Sequence, residues 1–182
     1  MNPASMSTLS LTPTSYVVLG LLALFGEATP YDLKRRVAGT VGFFWSFPHS
    51  QLYSEPARLA AAGLLEEARQ PTGRRKRLYR ITDAGREALC GWLHEPALQP
   101  RQLRDPGLLK LFFGGLADPA DVRSLAAAQA ESHRERLAEY ESLERGSAPP
   151  PEWRHPLATL QMGKLYERAA VTFWEQVAAD PP

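Results

Sequence analysis

Residues 71–82 read PTGRRKRLYRIT, twelve positions that hold Arg74, Arg75, Lys76, Arg77 and Arg80 and not one acid. The whole 182-residue chain carries a formal charge of only +1. Pro71-Thr72-Gly73 is turn chemistry, and Arg77 to Ile81, with aromatic and β-branched content, suits a returning strand. Upstream, Gly63 is followed by Leu64-Leu65 and a run to Ala68 that supplies the outgoing strand. The stretch therefore predicts a β-hairpin with a basic tip, and a concentrated basic footprint of this kind attracts polyanions.

Helix start and stop signals frame the hairpin on both sides. Residues 1–11 are small, polar and aperiodic and read as a frayed tail. Thr12-Pro13 then opens a helix, because threonine at an N-cap accepts from orphan N–H groups and proline at the first position loses no bond. Tyr16 to Phe25 is apolar nearly all round, which predicts a buried helix ending at Gly26. It is about half the roughly 20 residues a membrane span needs, so no membrane partner is expected. Thr29-Pro30 repeats the start, with Asp32 suited to the positive helix end, and carries a short helix to about Ala38. Gly39 and Gly42 break the chain before Phe43, Phe44, Trp45 and Phe47, which read as core and interface packing. A third helical stretch runs from about Pro48 to Ala62, and after the hairpin Thr82-Asp83 caps a helix from Ala84 to Leu93. The order over residues 12–95 is α-α-α-β-β-α. Three helices plus a hairpin is the layout of a winged helix-turn-helix, with the basic tip as a wing against the phosphate backbone of DNA.

Charge separates the two halves: residues 1–95 hold 11 Lys+Arg against 8 Asp+Glu, and residues 96–182 hold 10 against 12. In the second half Asp118-Pro119 starts a long helix. Val122, Leu125, Ala126, Leu137, Tyr140 and Leu143 recur along it at three- and four-residue steps to about Arg145. Gly146 to Pro151 reads as a turn or short linker. Met162, Tyr166, Ala169, Ala170, Phe173 and Val177 mark the inner stripe of a last helix from about Leu157, in which Gly163 permits a close approach. Leu165 and Trp174 widen that stripe beyond what one partner helix covers, so Leu165, Tyr166, Phe173 and Trp174 are assigned to burial against a second chain. Residues 96–182 are thus expected to be a helical dimerisation domain, and the whole to be mainly α with a β-hairpin.

TSYVVLGLLALFGEATPYDLKRR, FFWSFPHSQLYSEPARLAAAGLL and RLYRITDAGREALCGWL, in this order and spacing, resemble the PadR family of bacterial transcriptional regulators. RDPGLLKLFFGGLADPADV and the helices after it are similar to the C-terminal domain of the longer PadR subfamily. The resemblance implies a homodimeric, cytoplasmic regulator of double-stranded DNA, a repressor, released from DNA by a small aromatic effector stacking on Trp92. One position departs from the family pattern: the proline that commonly follows the QLY tyrosine is replaced by Ser54, and Pro56 stands two residues later. Either Pro56 interrupts a helix continuous from Pro48, or Ser54 caps a fresh helix with Pro56 in its first turn.

Within this layout Ser50, Gln51, Tyr53 and Ser54 are the candidates for base contact, and Arg74, Arg75, Lys76 and Arg77 for phosphate contact. Lys34 to Arg36 are either further backbone contacts or the polar side of the second helix. Trp92 is either packed or an effector platform. The alternative function is a winged-helix module that meets an acidic protein through the same hairpin. Other chemistries find little footing. Cys90 is the single cysteine, which excludes an intrachain disulfide and thiolate-rich metal sites. His49, His94, His133 and His155 have no mutual metal-ligand spacing and read as surface or packing residues. No G-x-S-x-G elbow, phosphate-binding glycine loop or paired-acid signature is present, so neither an enzyme nor a cofactor is expected.

Overall fold

The computed structural model describes residues 10–45, 48, 50–69, 76–97, 103–144 and 153–182. The chain divides into two compact units, residues 1–98 and 99–182. The predicted tail, Phe47, His49, the Pro71-Thr72-Gly73 turn and the 146–151 linker fall mainly or wholly outside the described residues.

Both Thr-Pro signals start helices, and each is reinforced by a capping box. In α1 (Pro13–Phe25) the Thr12 N–H donates to Ser15 Oγ at 2.8 Å and Ser15 N–H returns to Thr12 Oγ1 at 3.4 Å. In α2 (Pro30–Ala38) Thr29 and Asp32 exchange the same pair at 3.1 and 3.2 Å. Each box satisfies two orphan donors. α1 buries Val18, Leu19, Leu21 and Leu22 at the centre of the unit, where Leu33 and Val37 of α2 and Leu52 and Leu59 of α3 (Gln51–Ala61) meet them. β1 (Leu65–Arg69) and β2 (Arg77–Ile81) pair antiparallel, from Leu65 opposite Ile81 to Arg69 opposite Arg77. Ala28 adds one residue of a third strand, exchanging backbone bonds of 3.1 and 2.9 Å with Tyr79, and this stitches the hairpin to the α1–α2 turn.

Two expectations for the α2–α3 region need correction. The third helix begins at Gln51 and not at Pro48, whose carbonyl instead accepts from Gln51 N–H at 3.0 Å in a turn. Pro56 lies in the interior of one continuous helix, and Ser54 donates to the Gln51 carbonyl at 3.4 Å without acting as a cap. The lost bond to the Leu52 carbonyl, about 3 kcal/mol in an exposed helix, is set against a ring that is fully buried. Two members of the aromatic cluster, Phe44 and Trp45, are not core, while Phe43 is half-buried. A short 3-10 turn, Val41–Phe43, directs Val41 to the core and leaves Phe44 61% and Trp45 46% exposed.

α4 (Asp83–His94) is jammed onto the α3–β1 junction by its first turn. Thr82 N–H donates to the Leu64 carbonyl at 3.1 Å, and its hydroxyl donates to the Gly63 carbonyl at 2.8 Å while accepting from Gly85 N–H at 3.1 Å. A Cβ at Gly85 would lie 2.2 Å from the Leu64 carbonyl oxygen and 2.9 Å from Ile81 Cγ1. Gly85→Ala is accordingly expected to destabilise the N-terminal unit by about 2–3 kcal/mol despite alanine's better helix propensity. Thermal unfolding followed by circular dichroism would read this as a fall of roughly 10 °C or more in its midpoint.

The second unit begins with α5 (Pro106–Phe112), where Asp105 Oδ1 accepts from the Gly107 and Leu108 N–H groups at 2.8 and 3.1 Å. Two helices of 26 residues follow, α6 (Pro119–Glu144) and α7 (Arg154–Ala179), each about 39 Å long. They pack antiparallel. Val122, Ala126 and Ala130 of α6 enclose Trp174 and Val177 of α7, and at the other end a Cβ on Gly163 would lie 3.0 Å from Tyr140 Cε2. Gly163 thus admits a close approach, to a ring.

The phase of α7 differs from the expected stripe. Of that stripe Val177 is buried and Ala170 packs against the core, but Met162, Ala169 and Phe173 are exposed, and Lys164, Glu167 and Trp174 face inward instead. Trp174, expected to face a second chain, is 1% exposed and fills the centre of its own unit. Leu143 of the expected α6 stripe is also exposed. The physical cause is a polar pair that hydrophobic periodicity cannot count: His133 Nδ1 meets Glu167 Oε2 at 2.5 Å between α6 and α7, both buried. A hydrogen bond of this kind satisfies polar groups that would otherwise be costly to bury.

Candidate nucleic-acid interface

The four predicted base-contact residues fall on one face of α3. Ser50, just before its first turn, and Gln51, Tyr53 and Ser54 are exposed, while Leu52, Glu55, Pro56 and Leu59 point inward. The helical repeat explains the division, since these two sets occupy opposite arcs of a 3.6-residue period. Ala57 and Ala61, further along the outer side, add no bulk.

A polar network ties α3 to the first turn of α1, and sequence reasoning missed it. Thr14 Oγ1 donates to Gln51 Oε1 at 2.7 Å. One residue on, the fully buried Ser15 hydroxyl donates to Glu55 Oε1 at 2.6 Å and accepts from Arg58 Nη2 at 3.0 Å. Arg58 grips Glu55 with two bonds, at 2.8 and 2.6 Å. Two adjacent hydroxyls thus hold residues 51 and 55, one turn apart on α3. The signal available in sequence was the i, i+3 pair Glu55/Arg58; its hydroxyl partner, Ser15, lies 40 and 43 residues away.

Burial pushes the Glu55 carboxyl up, but the hydrogen bonds from Arg58 and Ser15 outweigh it and hold the group below its ordinary value. The Thr29 hydrogen bonds do the same for Asp32. A carboxyl lowered in the folded state contributes stability that is fully present above its unfolded value and lost as pH falls through the folded one. The N-terminal unit is therefore expected to keep a flat thermal midpoint through neutral pH and to lose it in acid below the ordinary glutamate range. Glu55→Gln should flatten that acid limb while lowering the midpoint at neutral pH.

The wing is less bare than its composition implies. Arg80 Nη2 lies 2.6 Å from Glu66 Oε2, its cross-strand partner, and Arg77 Nε lies 3.5 Å from Glu67 Oε1. Glu67 also accepts from the Tyr79 hydroxyl at 3.2 Å. The stem arginines are thus partly balanced, because the strand register sets Glu66 directly opposite Arg80 and Glu67 diagonal to Arg77. Lys76 is exposed at the entry to β2. Arg74 and Arg75 lie outside the described residues.

Arg36 has an internal task. Its guanidinium donates to the Gly26 and Glu27 carbonyls at 2.8 and 3.1 Å and sits 5.7 Å over the Phe25 ring, closing the end of α1. Lys34 and Arg35 are exposed. Trp92 stacks on Tyr16, with centroids 4.6 Å apart and planes 9° from parallel, and remains 43% exposed. Of the other histidines, His94 Nδ1 bonds the Cys90 carbonyl at 2.8 Å and His155 is exposed. Among the described residues no group of three or more His, Cys, Asp or Glu side chains could hold a metal ion, and no helix is long and apolar enough to cross a membrane.

A helix-turn-helix that carries a two-stranded wing, with the outer face of its third helix polar and open, defines the winged-helix class of regulators. Residues 18–90 match the transcriptional regulator PadR-like family, and residues 103–180 match the virulence activator alpha C-terminal family. The negative transcriptional regulator PadR of Bacillus subtilis is 31% identical over 142 residues, 74% of this chain and 76% of the relative. The chain belongs to the PadR-like family of transcriptional regulators. The fold is similar to the crystal structure of B. subtilis PadR in complex with operator DNA, with a TM-score of 0.81 and 27% identity over 91% of this chain and 97% of that one. The same relative in complex with p-coumaric acid gives a TM-score of 0.74 and 27% identity, over 93% and 97%.

Proposed function

We propose that this protein is a homodimeric repressor that reads operator DNA with α3 and grips the flanking phosphates with its wing. The observation that carries this is the single open face made by Ser50, Gln51, Tyr53 and Ser54 at the start of α3, in a fold like that of a relative solved on its operator. Glutamine can address adenine, and serine and tyrosine hydroxyls reach bases or phosphates. Lys76, with Arg74, Arg75 and Arg77, supplies charge for backbone contact. Residues 12–95 serve as the DNA-binding domain and residues 96–182 as the dimerisation domain.

The outward face of α7 supports pairing. Met162, Leu165 and Phe173 are exposed at steps of three and eight residues, with Ala169 between them, and Tyr166 is half-buried beside them. Phe112 and Leu116 are 82% and 89% exposed on and just after α5. Apolar surface of this extent marks an interaction site, and a second copy is the occupant a half-site reader needs. A flat aromatic acid is the proposed effector class, by analogy with the p-coumaric acid complex of the relative, and the open side of Trp92 is a stacking platform for it. To shift the DNA-bound population a hundredfold, the effector must favour the released arrangement by about 2.8 kcal/mol.

Fluorescence anisotropy on a duplex from the region upstream of the gene tests the reading. A dimer with about six phosphate contacts should give a log affinity that falls against log salt with a slope near −5. A slope near zero would replace this function with docking to a protein.

A further inference from the structure

We infer that Thr14 is a positioning residue for base selectivity: its hydroxyl fixes which way round the Gln51 carboxamide meets a base edge. This rests on the reading of α3 as the recognition helix. A carboxamide has an acceptor end and a donor end of almost the same shape, and a glutamine free to turn over offers either order. Thr14 is 6% exposed, and its Oγ1 donates to Gln51 Oε1 at 2.7 Å. Among the described residues this is the one hydrogen bond of the Thr14 side chain. Turning the amide over would make the Thr14 oxygen the acceptor of an Nε2 hydrogen and take from the hydroxyl's own proton the acceptor it has in Gln51 Oε1, which is costly in a buried setting.

The oxygen of Gln51 has two lone pairs, of which Thr14 occupies one. The other, and the Nε2 hydrogens, stay available on the exposed side. Held in this way, Gln51 presents one donor–acceptor order to the groove, and a base pair is distinguished in the major groove by that order. The adjacent Ser15–Glu55–Arg58 lock keeps α1 and α3 in register, so the 2.7 Å contact is maintained by more than itself. Thr14 therefore acts through Gln51 and need not touch DNA.

The test compares the parent, Thr14→Val, Thr14→Ser and Gln51→Ala in selection from a random duplex pool, with the thermal midpoint and the salt slope of each recorded. Valine keeps the shape of threonine and removes the hydroxyl. A bidentate amide–base pair discriminates by roughly ten- to a hundredfold. Gln51→Ala should erase the preference at one base pair of each half-site. Thr14→Val should lower it about three- to tenfold at that same base pair, Thr14→Ser should retain it, and the salt slope should be unchanged in all. Thr14→Val selecting like the parent, or weakening all duplexes equally, overturns the positioning role while a Gln51→Ala effect still upholds base reading by α3. If Gln51→Ala alters no base pair, Gln51 reads nothing and the role of Thr14 falls with it, even though the parent's DNA binding stands.

Discussion

Alanine at Arg74, Arg75 and Lys76 together should weaken binding to every duplex by on the order of a hundred- to a thousandfold at physiological salt. Arg77 and Arg80, the other cations of the stretch, already pair with Glu67 and Glu66. Each neutralised phosphate contributes about 0.9 to the salt slope, so removing three charges from each of two wings should flatten it by up to about five. The loss is expected to be uniform across sequences, since phosphates carry no base information. Tyr53→Ala should behave in the opposite way, eroding preference between duplexes with little change of slope. Thermal midpoints should stay close to the parent's, because surface changes of this kind are within about 0.5 kcal/mol. Wing variants that bind as tightly as the parent would remove the hairpin from the interface.

Trp174 and its neighbour Phe173 should fail in different ways. Trp174→Ala empties the centre of the α6–α7 pair and is expected to cost about 3–5 kcal/mol, the range for deleting a buried aromatic ring. Calorimetry should show the C-terminal unit melting early or already unfolded. Phe173, 41% exposed, turns its ring edge-on to Trp174 at 5.1 Å and otherwise faces outward. A Leu165→Glu, Phe173→Glu double variant should keep the helical circular dichroism while sedimenting as a monomer. Operator affinity should then fall about a hundredfold, as the second head ceases to bind intramolecularly. An unchanged dimer would move the interface off the outer face of α7, toward the exposed ring of Phe112 and the turn after α5.

What the chain declares locally was readable from residues alone. Thr12-Pro13 and Thr29-Pro30 start helices because a side-chain oxygen and a missing N–H act within one turn, without reference to the rest of the fold. The hairpin strands and the Thr82 start of α4 follow from equally short-range chemistry, and the family from the resemblance of whole segments. Facing is another matter. Residues 173 and 174 are neighbours on a helix with apolar groups on two sides, and it is the packing of Trp174 among Val122, Ala126 and Ala130, with the buried His133–Glu167 bond, that shows which side closes against α6.

The same distinction divides the basic residues. Composition counts Arg36, Arg77 and Arg80 as free charge, but chain reversal brings Gly26 and Glu27 to the first, Glu67 to the second and Glu66 to the third. Gln51 was visible as a candidate reader from its place in the motif, whereas the hydroxyl that meets its carboxamide belongs to a threonine 37 residues earlier. The sequence by itself determined where α1, α2 and α4 begin, because caps and an N-terminal proline act over a few bonds, while the start of α3 at Gln51 did not show in it. Tertiary structure alone decided which charges are paired, which tryptophan is core and which hydroxyl meets Gln51, because those depend on partners that only packing brings within reach.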